Sequence, residues 1–258
     1  MRSEQALVRM SDVDSAIRCV LTFAMNVLYL KTIIVLGLVS GVAFAGDPPS
    51  PKTLDAIRNS KVAADSGDDA KAIAILDVAI RDGSNDGILF LTRGLLLQRN
   101  KQDDLAIADF SRSIKLGFRP ALSYASRGTC HLSGADPKMA MDDFNSALLI
   151  DPKQSIAHLL RGRLLYESGR LSDALRDLDL AIQLDPNAES YITRALCYLK
   201  LKDYAAACSD CSTAAALDPT DPDPLWLRAA THRKRGDEAA AISDCMLAER
   251  LETIHLQR

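Results

Sequence analysis

Aromatic residues make up only 5% of the 258 residues, and there is one tryptophan. The chain holds no Gly-rich phosphate loop, no G-x-S-x-G elbow and no H-E-x-x-H helix. Nothing therefore points to phosphate transfer, a serine nucleophile or zinc-dependent hydrolysis. The one C-x-x-C, Cys208 to Cys211, is followed by no second copy and no suitably spaced His pair. That pattern argues against a zinc site. Basic residues are not clustered and the net charge is −3. A nucleic-acid partner is not expected, because phosphate binding needs grouped Lys and Arg. No catalytic residue, cofactor or metal is expected either. What is present is globular in balance, 48% hydrophobic and 25% charged, and rich in the helix formers alanine and leucine.

Residues 1–45 differ in kind from the rest. Met25–Ala45 reads MNVLYLKTIIVLGLVSGVAFA, with Lys31 ahead of an apolar run and Ala43-Phe44-Ala45 before Gly46. This is the layout of a secretory signal peptide with an A-x-A cleavage pattern. The stretch before Met25 carries Glu4, Asp12 and Asp14, which is unusual for such a signal, and translation starting at Met25 would explain it. An uncleaved signal anchor is the competing reading. Against it, the apolar run after Lys31 is shorter than the roughly 20 residues a membrane span needs. Either way the remainder of the chain is expected outside the cytoplasm, periplasmic or secreted, and membrane contact only through an uncleaved N-terminus. Residues 46–52 (GDPPSPK) then form a proline-rich linker.

From Thr53 the sequence repeats every 34 residues. The units are 53–86, 87–120, 121–154, 155–187, 188–221 and 222–258, the fourth one residue short. The twentieth position is Ala72, Ala106, Ala140, Ala174, Ala207 and Ala241. The eighth is Ser60, Gly94, Gly128, Gly162, Ala195 and Ala229, and the twenty-seventh is equally small. Small side chains in fixed columns mark places where facing helices nearly touch. Leu76, Phe110, Phe144, Leu178, Cys211 and Cys245 share the twenty-fourth. Asp68, Asp136, Asp203 and Asp237 stand where second helices should begin, as N-caps. One such helical hairpin cannot bury its apolar faces alone, so the copies should stack.

A 34-residue helix-turn-helix period with these columns resembles the tetratricopeptide repeat family. The resemblance runs from Thr53 to about His255. It implies an all-α, right-handed superhelical solenoid of six repeats behind the apolar N-terminal segment. It also implies a non-catalytic scaffold or adaptor whose first helices line a concave groove for a protein or peptide partner. By that resemblance the groove would include Leu91, Thr92, Leu95, Leu122, Ser126, Leu159, Arg163, Tyr166, Ile192 and Trp226. The family's Lys and Asn clamp for a terminal carboxylate has mostly apolar counterparts here. Many of these leucines could instead pack against neighbouring helices, and Trp226 could be a core or end residue. The last unit lacks a further capping helix and shows Ile242, Met246 and Leu247. Self-association through that end, as a structural assembly component, is the alternative function.

Two charged columns run in step. Arg93, Arg127, Arg161, Arg194 and Arg228 hold the seventh position, and Asp109, Asp143, Asp177, Asp210 and Asp244 the twenty-third. Each Arg precedes its Asp by 16 residues, on the partner helix. A ladder of ion pairs fixing helix register is expected, since Arg can bond a carboxylate twice; a row of arginines for an anion is the other reading. Cysteine is read chiefly as a small core residue. A disulfide among Cys197, Cys208 and Cys211 stays open for an exported chain, and a thiol-redox role at Cys208 and Cys211 is a third functional class. His131 and His232 share the eleventh position and are read as packing residues.

Overall fold

The computed structural model describes residues 49–255. The signal or anchor expected at 1–45 lies outside them. Among the described residues there are twelve α-helices and no strand. They are α1 (Pro51–Asp65), α2 (Asp69–Arg81), α3 (Gly87–Arg99), α4 (Asp103–Lys115), α5 (Pro120–Ser133), α6 (Pro137–Ile150), α7 (Ser155–Glu167), α8 (Leu171–Leu184), α9 (Ala188–Lys200), α10 (Tyr204–Leu217), α11 (Asp223–Arg235) and α12 (Glu238–His255). No helix among them is long and apolar enough to cross a membrane. They divide into two compact units, one ending at Leu160 and the other running from Arg161.

Within each unit the helices pair as hairpins, odd-numbered with the following even-numbered. The sequence explains both ends of the turn between them. Asp68, Asp136 and Asp203 accept backbone N–H bonds from Lys71, Met139 and Ala206, at 2.9, 3.1 and 3.1 Å. Asp237 does the same for Ala240 at 3.2 Å. These side chains satisfy donors that the first turn of a helix leaves open. One residue earlier, every hairpin turns through a left-handed residue: Gly67, Lys101, Ala135, Gly169, Lys202 and Gly236, with φ from 58° to 88°. Glycine adopts this region without cost, whereas Lys101, Ala135 and Lys202 carry strain there.

The hairpin core rests on a large residue facing a small one. Phe110 and Phe144 are fully buried. Their rings lie across Gly94 and Gly128, where an added Cβ would stand 2.8 Å from the ring edge. Leu178 covers Gly162 in the same way, with an added Cβ at 3.0 Å. The alanines of the twentieth column are fully buried throughout. Leu91, Leu95, Leu97, Ala106, Phe110 and Cys130 join in one buried cluster, and Leu76, Leu89 and Leu96 anchor another beside it.

Candidate functional site

The two charged columns meet head to head. Arg93 donates from Nε and Nη2 to Asp109 at 2.8 and 2.7 Å, and Arg127 to Asp143 at 2.9 and 2.7 Å. Arg161 does so to Asp177 at 2.7 and 2.8 Å. The corresponding distances are 2.8 and 2.7 Å for Arg194 with Asp210, and 2.8 and 2.6 Å for Arg228 with Asp244. The five carboxylates are buried. A buried carboxylate is tolerated only where its lone pairs are met, and the guanidinium fork meets two at once.

The remaining nitrogen reaches the preceding hairpin. Nη1 of Arg93 donates to Asp77 at 2.7 Å and that of Arg194 to Asp179 at 2.7 Å. Nη1 of Arg127 and of Arg228 donate to the Ser111 and Ser212 hydroxyls, each at 2.9 Å. Three guanidinium nitrogens on Arg93, Arg127, Arg194 and Arg228 are thus engaged within the protein, which overturns the reading of these four as an anion-binding row. Aromatic rings three residues earlier cover three of them: Phe90, Tyr124 and Tyr191 lie 5.9, 5.3 and 5.4 Å from the guanidinium carbons of Arg93, Arg127 and Arg194. Hydrogen bonding to Asp109, against desolvation, holds Arg93 above its ordinary range. Burial pushes the Asp109 carboxyl up despite Arg93.

The first-helix residues expected to line a groove are mostly enclosed. Leu91 and Leu95 lie in the α3 core cluster, with Leu122 half-buried against it. Ser126, Leu159, Tyr166 and Ile192 are buried. Thr92 is buried and its hydroxyl donates to the Ile88 carbonyl at 2.8 Å. Arg163, only 5% exposed, pairs with Glu189 at 3.3 Å. The Lys200 ammonium sits 3.8 Å from the Tyr166 ring and donates to the Tyr166 carbonyl at 3.3 Å. Trp226 is half-buried; its Nε1 donates to Glu252 at 2.9 Å, and its ring packs on Ala229 and Cys245. Between α1 and α3, Ile57, Ser60, Lys61, Ala64, Thr92, Leu95 and Leu96 line a small dent.

Cys130, Cys197, Cys208, Cys211 and Cys245 are free thiols. The disulfide left open among Cys197, Cys208 and Cys211 does not form. Burial pushes the Cys197 thiol up to about 12 and that of Cys211 higher still. Among the described residues, no group of three His, Cys, Asp or Glu is placed to hold a metal ion. His131 Nε2 stands 3.8 Å from Asp143, and a ring nitrogen of His158 is 3.0 Å from the Pro152 carbonyl.

Residues 131–189 and 159–222 match the profile of the tetratricopeptide repeat family. No curated protein sequence matches the chain. Solved structures similar to it include a tetratricopeptide repeat protein from Parabacteroides merdae (18% identity, TM-score 0.62, 76% of this chain and 78% of that one). MamA from Desulfovibrio magneticus is similar at 17% identity, with a TM-score of 0.58 over 65% of this chain and 95% of MamA. YrrB, described as a repeat protein with an unusual peptide-binding site, is similar at 20% identity and TM-score 0.56, over 70% and 94%. Residues 131–222 carry the tetratricopeptide repeat pattern, and the fold is that of tetratricopeptide repeat proteins.

Proposed function

We propose that this protein is a non-catalytic adaptor, exported from the cytoplasm, that holds a segment of a protein partner against its first helices. The observation that carries the reading is the dent between α1 and α3. It opens between consecutive first helices and is walled by Ile57, Ala64, Leu95 and Leu96, with Lys61 at its edge. The dent is shallow, with about 10 Å³ of open space, so it takes no more than the methyl tip of a bound segment's side chain, and the lysine favours an acidic neighbour beside it. The peptide-binding site of YrrB, a protein of similar fold, supports the class of ligand and nothing about its sequence. Export rests on the signal layout of Met25–Ala45.

The test is a peptide-library selection on the folded repeats. Enriched apolar peptides with an acidic residue should bind at least about tenfold more weakly to Lys61→Glu, with melting unchanged, and to Ala64→Met, measured where that variant remains fully folded. Binding insensitive to both substitutions would remove the dent from the reading. N-terminal sequencing of the protein recovered from outside the cytoplasm tests export; a retained Met25–Ala45 in a soluble product counts against a cleaved signal.

Self-association is the second reading, favoured by one observation. On α12, Ile242, Met246 and Leu247 are 46%, 54% and 45% exposed. A monomer by light scattering at high concentration would dismiss it.

A further inference from the structure

At the twenty-first position of the first four units stand Ile73, Ile107, Met141 and Leu175; in the fifth it is Cys208. Beside this smaller side chain a cleft of about 330 Å³ opens, lined by Cys208, Ser209, Ser212, Arg228, His232, Ala240, Ser243 and Asp244. Cys208 is the one partly exposed thiol among the five. Its Sγ lies 3.9 Å from Nε2 of His232. The same Nε2 is 3.8 Å from Asp244, and Nδ1 is 3.8 Å from Asp237. Nδ1 is enclosed and makes no hydrogen bond. An imidazole whose Nε2 accepts from the thiol carries its own proton on Nδ1, toward the Asp237 carboxylate.

The chain contains its own control. His131 occupies the same place in its unit and faces Asp143 at the same 3.8 Å. There the twenty-first position is Ile107, so the constellation lacks a sulfur. Cys211, the other half of the C-x-x-C, is fully buried in the hairpin core. The arrangement is a single accessible thiol with a base beside it, not a dithiol couple.

We propose that Cys208 is a thiol-modification site, forming a mixed disulfide with a low-molecular-weight disulfide admitted to this cleft, with His232 as the base. The thiol gives its proton to Nε2 of His232, and the thiolate attacks one sulfur of the incoming R–S–S–R. The S–S bond breaks, and the departing R–S⁻ takes the proton back from the imidazolium. The net change is Cys208–SH + RSSR → Cys208–S–SR + RSH, with no other oxidant. Burial pushes the Cys208 thiol up, against the pull of Arg235 and Arg228, with Asp244 and Asp237 adding to the upward push. The thiol is therefore protonated near neutral pH and needs a base to react. Arg228 is held by Asp244 and Ser212, so it lines the cleft as a fixed wall.

The probe is oxidised glutathione, applied to the folded protein near neutral pH and followed by intact mass and peptide mapping. A chromogenic aromatic disulfide gives the rates. The expected result is one adduct, on Cys208, absent in Cys208→Ser. His232→Gln should slow the reaction by at least about tenfold and remove the imidazole inflection from its rate–pH profile. His131→Gln should change neither. Should His232→Gln not fold, Ala240→Leu crowds the cleft beside Cys208 and should slow the adduct while leaving the helical content intact. First modification at another cysteine would overturn the proposal. So would an unreactive Cys208 in the folded protein, or His232→Gln or Ala240→Leu reacting at the wild-type rate.

Discussion

In the hairpins α3–α4 and α5–α6, a phenylalanine fills the space that a glycine leaves: Phe110 over Gly94 and Phe144 over Gly128. In α9–α10 and α11–α12 the same two positions hold Cys211 with Ala195 and Cys245 with Ala229. Both solutions are fully or nearly buried. The methyl gained on the first helix replaces only part of the ring lost from the second, while the small alanine column and the Arg–Asp rung stay. The two kinds of hairpin therefore close on cores of different volume, the Cys–Ala pair being the smaller.

Truncation breaks this comparison most severely. Phe144→Ala leaves a hole over a glycine that has no side chain to relax into it. A loss of about 3–5 kcal/mol is expected from urea unfolding. Cys245→Ala removes only a sulfur beside Ala229 and should cost about 1 kcal/mol or less. Equal losses would sink the idea that the two pairs differ in volume. Next comes the rung that both halves share. Asp143→Ala strands the Arg127 guanidinium, which keeps the Ser111 hydroxyl and the Tyr124 ring but no carboxylate. Its side chain is 21% exposed, so the cost is set at about 2–3 kcal/mol, below that for a fully enclosed pair.

The comparison is sharpened by converting one pair into the other. Gly128→Ala gains helix propensity but sets a Cβ about 2.8 Å from the Phe144 ring. A net loss of about 1–2 kcal/mol is expected. Adding Phe144→Cys to Gly128→Ala reproduces the Ala229–Cys245 pair. The double substitution should lose less than the two single losses added together, with a coupling of about 1 kcal/mol or more in the cycle. A smaller effect tests the turns. Ala135→Gly relieves a left-handed alanine and should stabilise by about 0.5 kcal/mol, whereas Gly169→Ala should destabilise by about 1 kcal/mol. Urea midpoints at constant slope read both.

These packing pairs were legible because a column repeated through six units averages out local noise. The rung was legible for the same reason: one Arg and one Asp, always 16 apart. The third partner of each arginine was not. Asp77, Ser111, Asp179 and Ser212 differ in charge and size and share only an acceptor oxygen, so no residue type marks the column. The left-handed turn is marked by glycine at Gly67, Gly169 and Gly236 but by no residue type at Lys101, Ala135 and Lys202, which adopt a conformation they do not prefer. The groove was the least legible part. Leu91 and Leu159 sit on short helices whose apolar faces are wide, and periodicity does not say which leucines remain open. The structure buries both.

The last difference between the halves is electrostatic. The second position of the second and third units is Ile88 and Leu122; in the fifth and sixth it is Glu189 and Asp223. Burial pushes both carboxyls up. Arg163 pulls Glu189 back. Asp221 and Glu252 push Asp223 further, to about 6. A carboxyl with a folded pKa above its unfolded value of about 4 binds its proton more tightly in the folded state. Its contribution is therefore most favourable below that unfolded value and is lost as pH rises through about 6. Stability should increase when pH falls from 7 to 5. Asp223 is partly open to solvent, so its share is expected well below about 1 kcal/mol. Asp103 and Asp109 are raised by burial in the other half as well, so the wild-type curve alone does not separate the halves. Asp223→Asn does. It should flatten the rise in urea midpoint between pH 7 and pH 5, while Leu122→Asn leaves the slope of that rise unchanged. A curve for Asp223→Asn parallel to wild type would mean that Asp223 stays ionised in the folded hairpin throughout this range.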